Sequence, residues 1–271
     1  MKKILVAAFF LSCFSAHSQK LEKLWETDSI VSVPESVLPD PKAGILYVSL
    51  IDGGPWDADG RGGVARMKDD GTAYDSTWAT GLNAPKGMGL FQNHLYVADI
   101  SEVAVIDTKT GKIEKRIAIP DASGLNDITV ADDGVVYVSD SKTARVWRIE
   151  KDAPQLFLEN MQGVNGLKAV GKELMVASGK SFVKTDANKT ITKVAETPQG
   201  GDGVEPLGKG DYLVSAWMGQ IYRVSANGTV ETLLDTSAEK RNTADIGYDP
   251  VKRIIYVPTF FAKTVAAYRL K

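Results

Sequence analysis

Glu35, Asn126, Asn165 and Asp202 hold the same place in a stretch that recurs along this chain, and Lys86 and Ala244 hold it in two further copies. Two of the four oxygen-bearing residues are carboxylates, two are amides, and none of the six is His or Cys. Carboxylate and amide oxygens are hard donors. They suit Ca²⁺ first and Mg²⁺ or Mn²⁺ next, and a soft-ligand zinc site is disfavoured. Two ligand charges offset a divalent ion, which makes such a cluster tolerable away from water. A plainer reading stands beside this one. Asn and Asp favour turns because they bond their own backbone. On that reading Asn165-Gly166 and Asp202-Gly203 are turn dipeptides, and Glu35 pairs with Lys86.

The recurring stretch is clearest from Leu125 to Asp140, LNDITVADDGVVYVSD. It reads as a strand, an Asp-Asp-Gly turn and a second strand of alternating apolar residues. Copies start at Pro34, Pro85, Val164, Asp202 and Ala244, and their second strands centre on Tyr47, Tyr96, Tyr137, Met175, Leu213 and Tyr256. These centres lie 38 to 49 residues apart. Six such units predict an all-β fold, a six-bladed β-propeller with one four-stranded sheet per repeat. Inner strands are expected at 34–38, 87–90, 127–131, 166–170 and 203–207. Leu21–Glu26 (LEKLWE) alternates but has no hairpin partner, and the last repeat holds only three strands. The N-terminal strand is therefore expected to complete the sixth blade and leave no open edge. Antiparallel geometry puts the turns into each inner strand and the loops after each second strand on one face of the ring.

The chain has 271 residues, and 19–271 reads as a single domain. Residues 1–18 read as a secretory signal peptide: Lys2 and Lys3, an apolar run from Ile4 to Leu11, then Ala16-His17-Ser18. Export to a periplasm or to the medium is expected. Cys13 is the only cysteine, and Phe10-Leu11-Ser12 before it fits a lipobox poorly. The domain must then stand on its core without disulfides. A net charge of −2 gives no footing for nucleic acid. No segment after the leader is apolar for long enough to span a membrane.

The pattern resembles the senescence marker protein/gluconolactonase family, the regucalcin-like six-bladed propellers. The residues that carry it are Glu35 after Pro34, Asn126-Asp127, Asn165-Gly166-Leu167, and Asp202-Gly203 in GGDGV. The resemblance covers essentially the whole mature chain. It implies one divalent cation bound by Glu35, Asn126, Asn165 and Asp202, with Asp202 also the acid/base. It further implies hydrolysis of a lactone or related ester as a small-molecule substrate. There are departures. Glu35 is followed by Ser36-Val37-Leu38 and not by Gly-Pro and an aromatic residue. Gly124 stands where sugar-lactone members carry Arg. The His pair of paraoxonase-like cousins has no counterpart, because His94 falls in a turn on the opposite face. The alternative is a non-catalytic propeller of the NHL type that displays loops for a ligand or protein partner.

Lys86 reads either as an anion handle or as a salt-bridge partner of Glu35 or Asp202, or as a solvent-facing side chain. Trp56, in the long loop from Ile51 to Gly62, and Trp217, with Met218, Phe260 and Phe261, suggest an apolar wall over a polar floor. Some of these large residues would equally serve as wedges between blades. Asp57-Ala58-Asp59-Gly60 lacks the later acidic ligand of an EF-hand and reads as a turn. Asp99 and Asp140 are expected to cap the loops that follow them, and Asp127 to orient Asn126 or cap its turn.

Overall fold

The computed structural model describes residues 21–271. The expected leader at 1–18, with Cys13, lies outside the described residues. Six four-stranded antiparallel sheets form a six-bladed β-propeller. The first blade takes Pro34–Asp40, Ile45–Leu50, Gly62–Lys68 and Asp75–Leu82 in that order. The inner strands of the second to fifth blades are Pro85–Phe91, Leu125–Val130, Val164–Val170 and Val204–Gly208. The sixth blade runs Gly247–Asp249, Ile254–Pro258, Val265–Leu270, and its outermost strand is Leu21–Glu26. The N-terminal strand therefore closes the ring, antiparallel to Val265–Leu270. Glu26 secures this closure by accepting hydrogen bonds from Arg241 and from Thr264 Oγ1.

Alternation drives the fold: the second and third strands of a blade turn one apolar set to each neighbouring blade, while the outermost strands are largely exposed. The buried residues form a cluster at every blade junction. Tyr47, Val64 and Leu82 of the first blade pack on Met88, Leu95 and Ile106 of the second. Tyr256 and Ala267 of the sixth join Val37, Leu46 and Met67 of the first. Trp25, Trp78 and Trp147 are the wedges, each packed into a junction cluster. Hairpin turns carry the expected glycine. Gly134 has φ 87° and donates to the Ala131 carbonyl, a conformation costly for any residue with a Cβ.

Three inner strands start two residues earlier than expected, at Pro85, Leu125 and Val164. The reason is a β-bulge. Leu125 pairs with Asp140 and Ile128 with Val138, so Asn126 and Asp127 together face Ser139. The same shift sets Glu35-Ser36 against Ser49, Lys86-Gly87 against Ala98, and Asn165-Gly166 against Ala177. A bulge re-aims side chains that would otherwise alternate in and out of the sheet. Here it turns Glu35, Lys86, Asn126 and Asn165 toward one end of the axis, and Asp202 reaches the same end from just ahead of the fifth inner strand.

Candidate functional site

Five of the six equivalent positions meet in one cavity of about 350 Å³. Its floor is Glu35, Lys86, Asn126, Asn165 and Asp202. Its rim is Pro55, Trp56, Trp217, Phe260 and Phe261. The structure thus brings together every residue that the sequence singled out for metal or substrate. Ala244, the sixth position, is buried beneath, against Ile51, Ala84 and Phe260. Met218 stays exposed and does not line the cavity. A larger cleft of about 470 Å³ opens on the opposite face between the third and fourth blades, around Tyr137, Arg148 and Phe157. It holds none of the candidate residues.

Buried serines that composition did not single out hold the floor in place. Ser49, Ser139 and Ser215 accept hydrogen bonds from the backbone N–H of Ser36, Asp127 and Gly203, at 2.9, 2.9 and 2.8 Å. Each anchored N–H lies one residue after Glu35, Asn126 or Asp202. Ser215 also donates to the Ala244 carbonyl at 2.7 Å, which ties the fifth blade to the sixth. Ser141 accepts from Asn126 Nδ2 at 3.0 Å and donates to the Val164 carbonyl at 2.6 Å. With its nitrogen so committed, the Asn126 amide keeps its oxygen for the cavity. The signal was present in the sequence: YVS, YVS and LVS stand where the second and fourth blades read YVA and MVA. Gly166 completes the convergence. A Cβ there would lie 1.8 Å from the Asp202 carbonyl oxygen, so only glycine lets these inner strands approach so closely.

Burial dominates the electrostatics. Asp202, 4 % exposed, has its carboxyl pushed up to about 8 by burial and by Asp245, while the Asn165 amide and Lys86 draw it back. Glu35 is also raised well above the carboxylate range by burial, against the pull of Lys86 and with help from Asp202 and Asp245. Burial lowers Lys86, and Glu35 and Asp202 oppose that shift. Two carboxylates crowded into one dry site do not both ionise readily without added positive charge.

Lys86 takes neither the salt-bridge nor the solvent-facing position. It is 3 % exposed, and among the described residues it makes no ion pair within 4.0 Å. Its Nζ donates to the Pro55 carbonyl at 2.6 Å and lies 4.2 Å from the Trp56 ring centroid. Lys142 Nζ lies 4.6 Å from the same centroid. Lys86 therefore fixes the loop that carries Trp56 and lends charge to the floor without pairing with its carboxylates. Asp127 does not orient Asn126. Its carboxylate accepts from Ile128 N and Leu167 N, both at 2.6 Å, and so joins the third blade to the fourth. Asp140 caps its following loop at Lys142 and Thr143, as expected, whereas Asp99 caps the preceding turn at Asn83 and Ala84. His94 meets Glu114 at 3.1 Å, away from the cavity. Gly60 in the Asp57–Asp59 loop takes φ 72°, as a turn glycine does.

The donor set fits a hard cation. Glu35 Oε2, Asn165 Oδ1 and Asp202 Oδ1 are buried and have no hydrogen-bond partner. Buried polar atoms without partners are rare, and three around one cavity call for a common partner. No group of three or more His, Cys, Asp or Glu side chains is placed to hold a metal among the described residues. The set here is of another kind, two carboxylates and two amides, all oxygen.

No family model matches the sequence. No curated protein matches it either. Solved structures do. A catalytically inactive virginiamycin B lyase from Staphylococcus aureus, crystallised with quinupristin, superposes with a TM-score of 0.66 at 16 % identity, over 93 % of this chain and 99 % of that one. Luciferin-regenerating enzyme gives 0.69 at 12 % identity, over 92 % and 95 %. A streptogramin B lyase gives 0.66 at 10 % identity, over 93 % and 97 %. At such identities the likeness is one of fold. The chain is similar in fold to these proteins along nearly all of its described length.

Proposed function

We propose that this propeller is a divalent-metal-dependent hydrolase of a lactone or related ester, with Glu35, Asn126, Asn165 and Asp202 as metal ligands. The observation that carries the reading is the set of three partnerless buried oxygens, on Glu35, Asn165 and Asp202, around one cavity. A divalent cation bound there supplies Lewis acidity toward an ester carbonyl. Asp202 takes a proton from the attacking water, whose oxygen bonds to the carbonyl carbon as the ester C–O bond breaks. The proton then passes to the departing alkoxide, giving an acid and an alcohol. Lys86 steadies Trp56 and moderates the charge of the floor. Pro55, Trp56, Trp217 and the two phenylalanines limit water at the reacting carbon. Enzymes among the structural neighbours are consistent with a propeller that does chemistry. The leader at 1–18 would deliver the domain to an exported compartment.

The test combines melting and turnover. Ca²⁺, Mg²⁺ or Mn²⁺ at a hundred times its Kd stabilises by about 2.7 kcal/mol. That corresponds to a rise of roughly 5–10 °C in Tm for a chain of this size. Hydrolysis of aldonolactones or aryl esters should stop with chelator and return with the cation. No thermal shift with any of the three ions, together with no turnover, would leave the NHL-type binding scaffold as the better reading.

A further inference from the structure

We infer that the substrate is an ester or lactone bearing an aryl group, and not a polyhydroxylated sugar lactone. The inference rests on the hydrolase reading for the reacting carbonyl and adds the chemistry of the part that does not react.

The cavity divides its polarity by height. Every carboxylate, amide and ammonium lies on the floor, in Glu35, Lys86, Asn126, Asn165 and Asp202. The rim side chains are proline, tryptophan and phenylalanine, whose only polar atoms are two indole N–H donors. A sugar lactone carries a hydroxyl on nearly every ring carbon, and each needs a partner once buried. The floor would be occupied by the reacting carbonyl and a cation, and the rim side chains offer no acceptor.

The rim is an aromatic frame. Trp217, Phe260 and Phe261 meet edge to face, with centroids 5.6, 5.9 and 4.8 Å apart and planes at 79°, 82° and 90°. Edge-to-face contact is a favoured geometry for aromatic pairs. Across the cavity Trp56 is set by the ammonium groups of Lys86 and Lys142. Phe260 is held in a left-handed conformation, φ 48°, which a bulky residue adopts only under constraint. The constraint is a clasp: Thr259 and Thr264 bond each other through backbone and hydroxyl, and Lys263 N donates to the Phe260 carbonyl at 3.0 Å. Backbone strain of this kind concentrates where a side chain must be aimed. Phe261 remains 61 % exposed and Trp217 38 % exposed at the mouth, apolar surface that an aryl group would cover.

The test uses unreactive lactams, so binding is read apart from turnover. Calorimetry with 3,4-dihydro-2-quinolinone and with gluconolactam, at saturating Ca²⁺, should show at least tenfold tighter binding of the aryl lactam. Phe261→Ala and Trp217→Ala should each weaken the aryl lactam at least fivefold and leave gluconolactam unchanged. Equal or tighter binding of gluconolactam, no measurable binding of either, or indifference of the aryl lactam to both substitutions overturns the inference. The corresponding lactones, dihydrocoumarin and glucono-δ-lactone, then separate the two readings. A preference for the aryl lactam without hydrolysis of dihydrocoumarin upholds the aryl pocket and removes the hydrolase. Hydrolysis of glucono-δ-lactone at an equal or higher kcat/KM does the reverse.

Discussion

Asp202→Asn keeps the shape of a side chain that is almost wholly buried and removes its ability to accept a proton. Turnover should fall at least a hundredfold, the usual scale of a lost general base, as initial rates would show. Stability should move the other way. The folded carboxyl titrates near 8, far above an exposed Asp, so its ionisation costs the native state more as pH rises. The variant should therefore melt higher than the parent at pH 8 in chelator and alike at pH 4. Lys86→Met tests the neighbouring charge. Lys86 lowers both Glu35 and Asp202, so its loss should shift the acid limb of the pH–rate profile to higher pH. A limb that stays in place would mean that Lys86 acts only by holding Pro55 and Trp56. The four oxygen residues were legible because the repeat register sets them at one place in every unit. The left-handed Phe260 was not, since its conformation comes from the Thr259–Thr264 clasp and not from its own preference.

A strand that feeds a site must present its side chains in a way that plain alternation does not allow. The first four inner strands solve this with a bulge, and in the first and third blades a buried serine of the next strand accepts an N–H within it, as Ser215 does for Gly203 just ahead of the fifth inner strand. Ser215→Ala removes both that acceptor and the donor to the Ala244 carbonyl. Leaving buried backbone groups without partners costs about 1–3 kcal/mol each, so roughly 2–6 kcal/mol of stability should be lost in denaturant melts. Cation affinity should weaken with it, because the N–H released is that of the residue after Asp202. Loss of stability with an unchanged Kd for Ca²⁺ would make the serine structural only. Alternation and turn residues made the strands readable in the sequence, blade by blade. The first two residues of three inner strands, those of the second, third and fourth blades, were not readable. Two bulged residues against one break the period of two that a strand is recognised by.

Around the axis of the whole ring lies a column of carboxylates. Below Glu35 and Asp202 sit Asp127, Asp245 and Glu205, with Lys168 paired to Glu205 at 2.8 Å. Glycines after Lys86 and Asp202 make room for Asp127 and Asp245, whose side-chain oxygens would lie 2.4 Å from a Cβ at Gly87 or Gly203. Sequence spacing located the ring and its axis. It could not reveal this column, because Asp127 and Asp245 become neighbours only when six blades close. Burial raises all five carboxyls, Asp202 to about 8 and Asp245 to about 7. A group raised on folding binds its proton more tightly in the native state than in the unfolded chain. Its stabilising effect is complete below the unfolded value near 4 and is lost as pH climbs through the folded one. In chelator, the melting temperature should therefore fall between pH 5 and pH 8, on the order of 5–10 °C if the losses sum to a few kcal/mol. A divalent ion needs ionised ligands, so its binding should release protons and tighten across the same interval. Calorimetry at pH 7 in buffers of different ionisation enthalpy would count those protons. A melting temperature that is flat in chelator from pH 5 to 8, with no proton released on adding Ca²⁺, would mean that the column is already ionised and that its charge is balanced from within the protein.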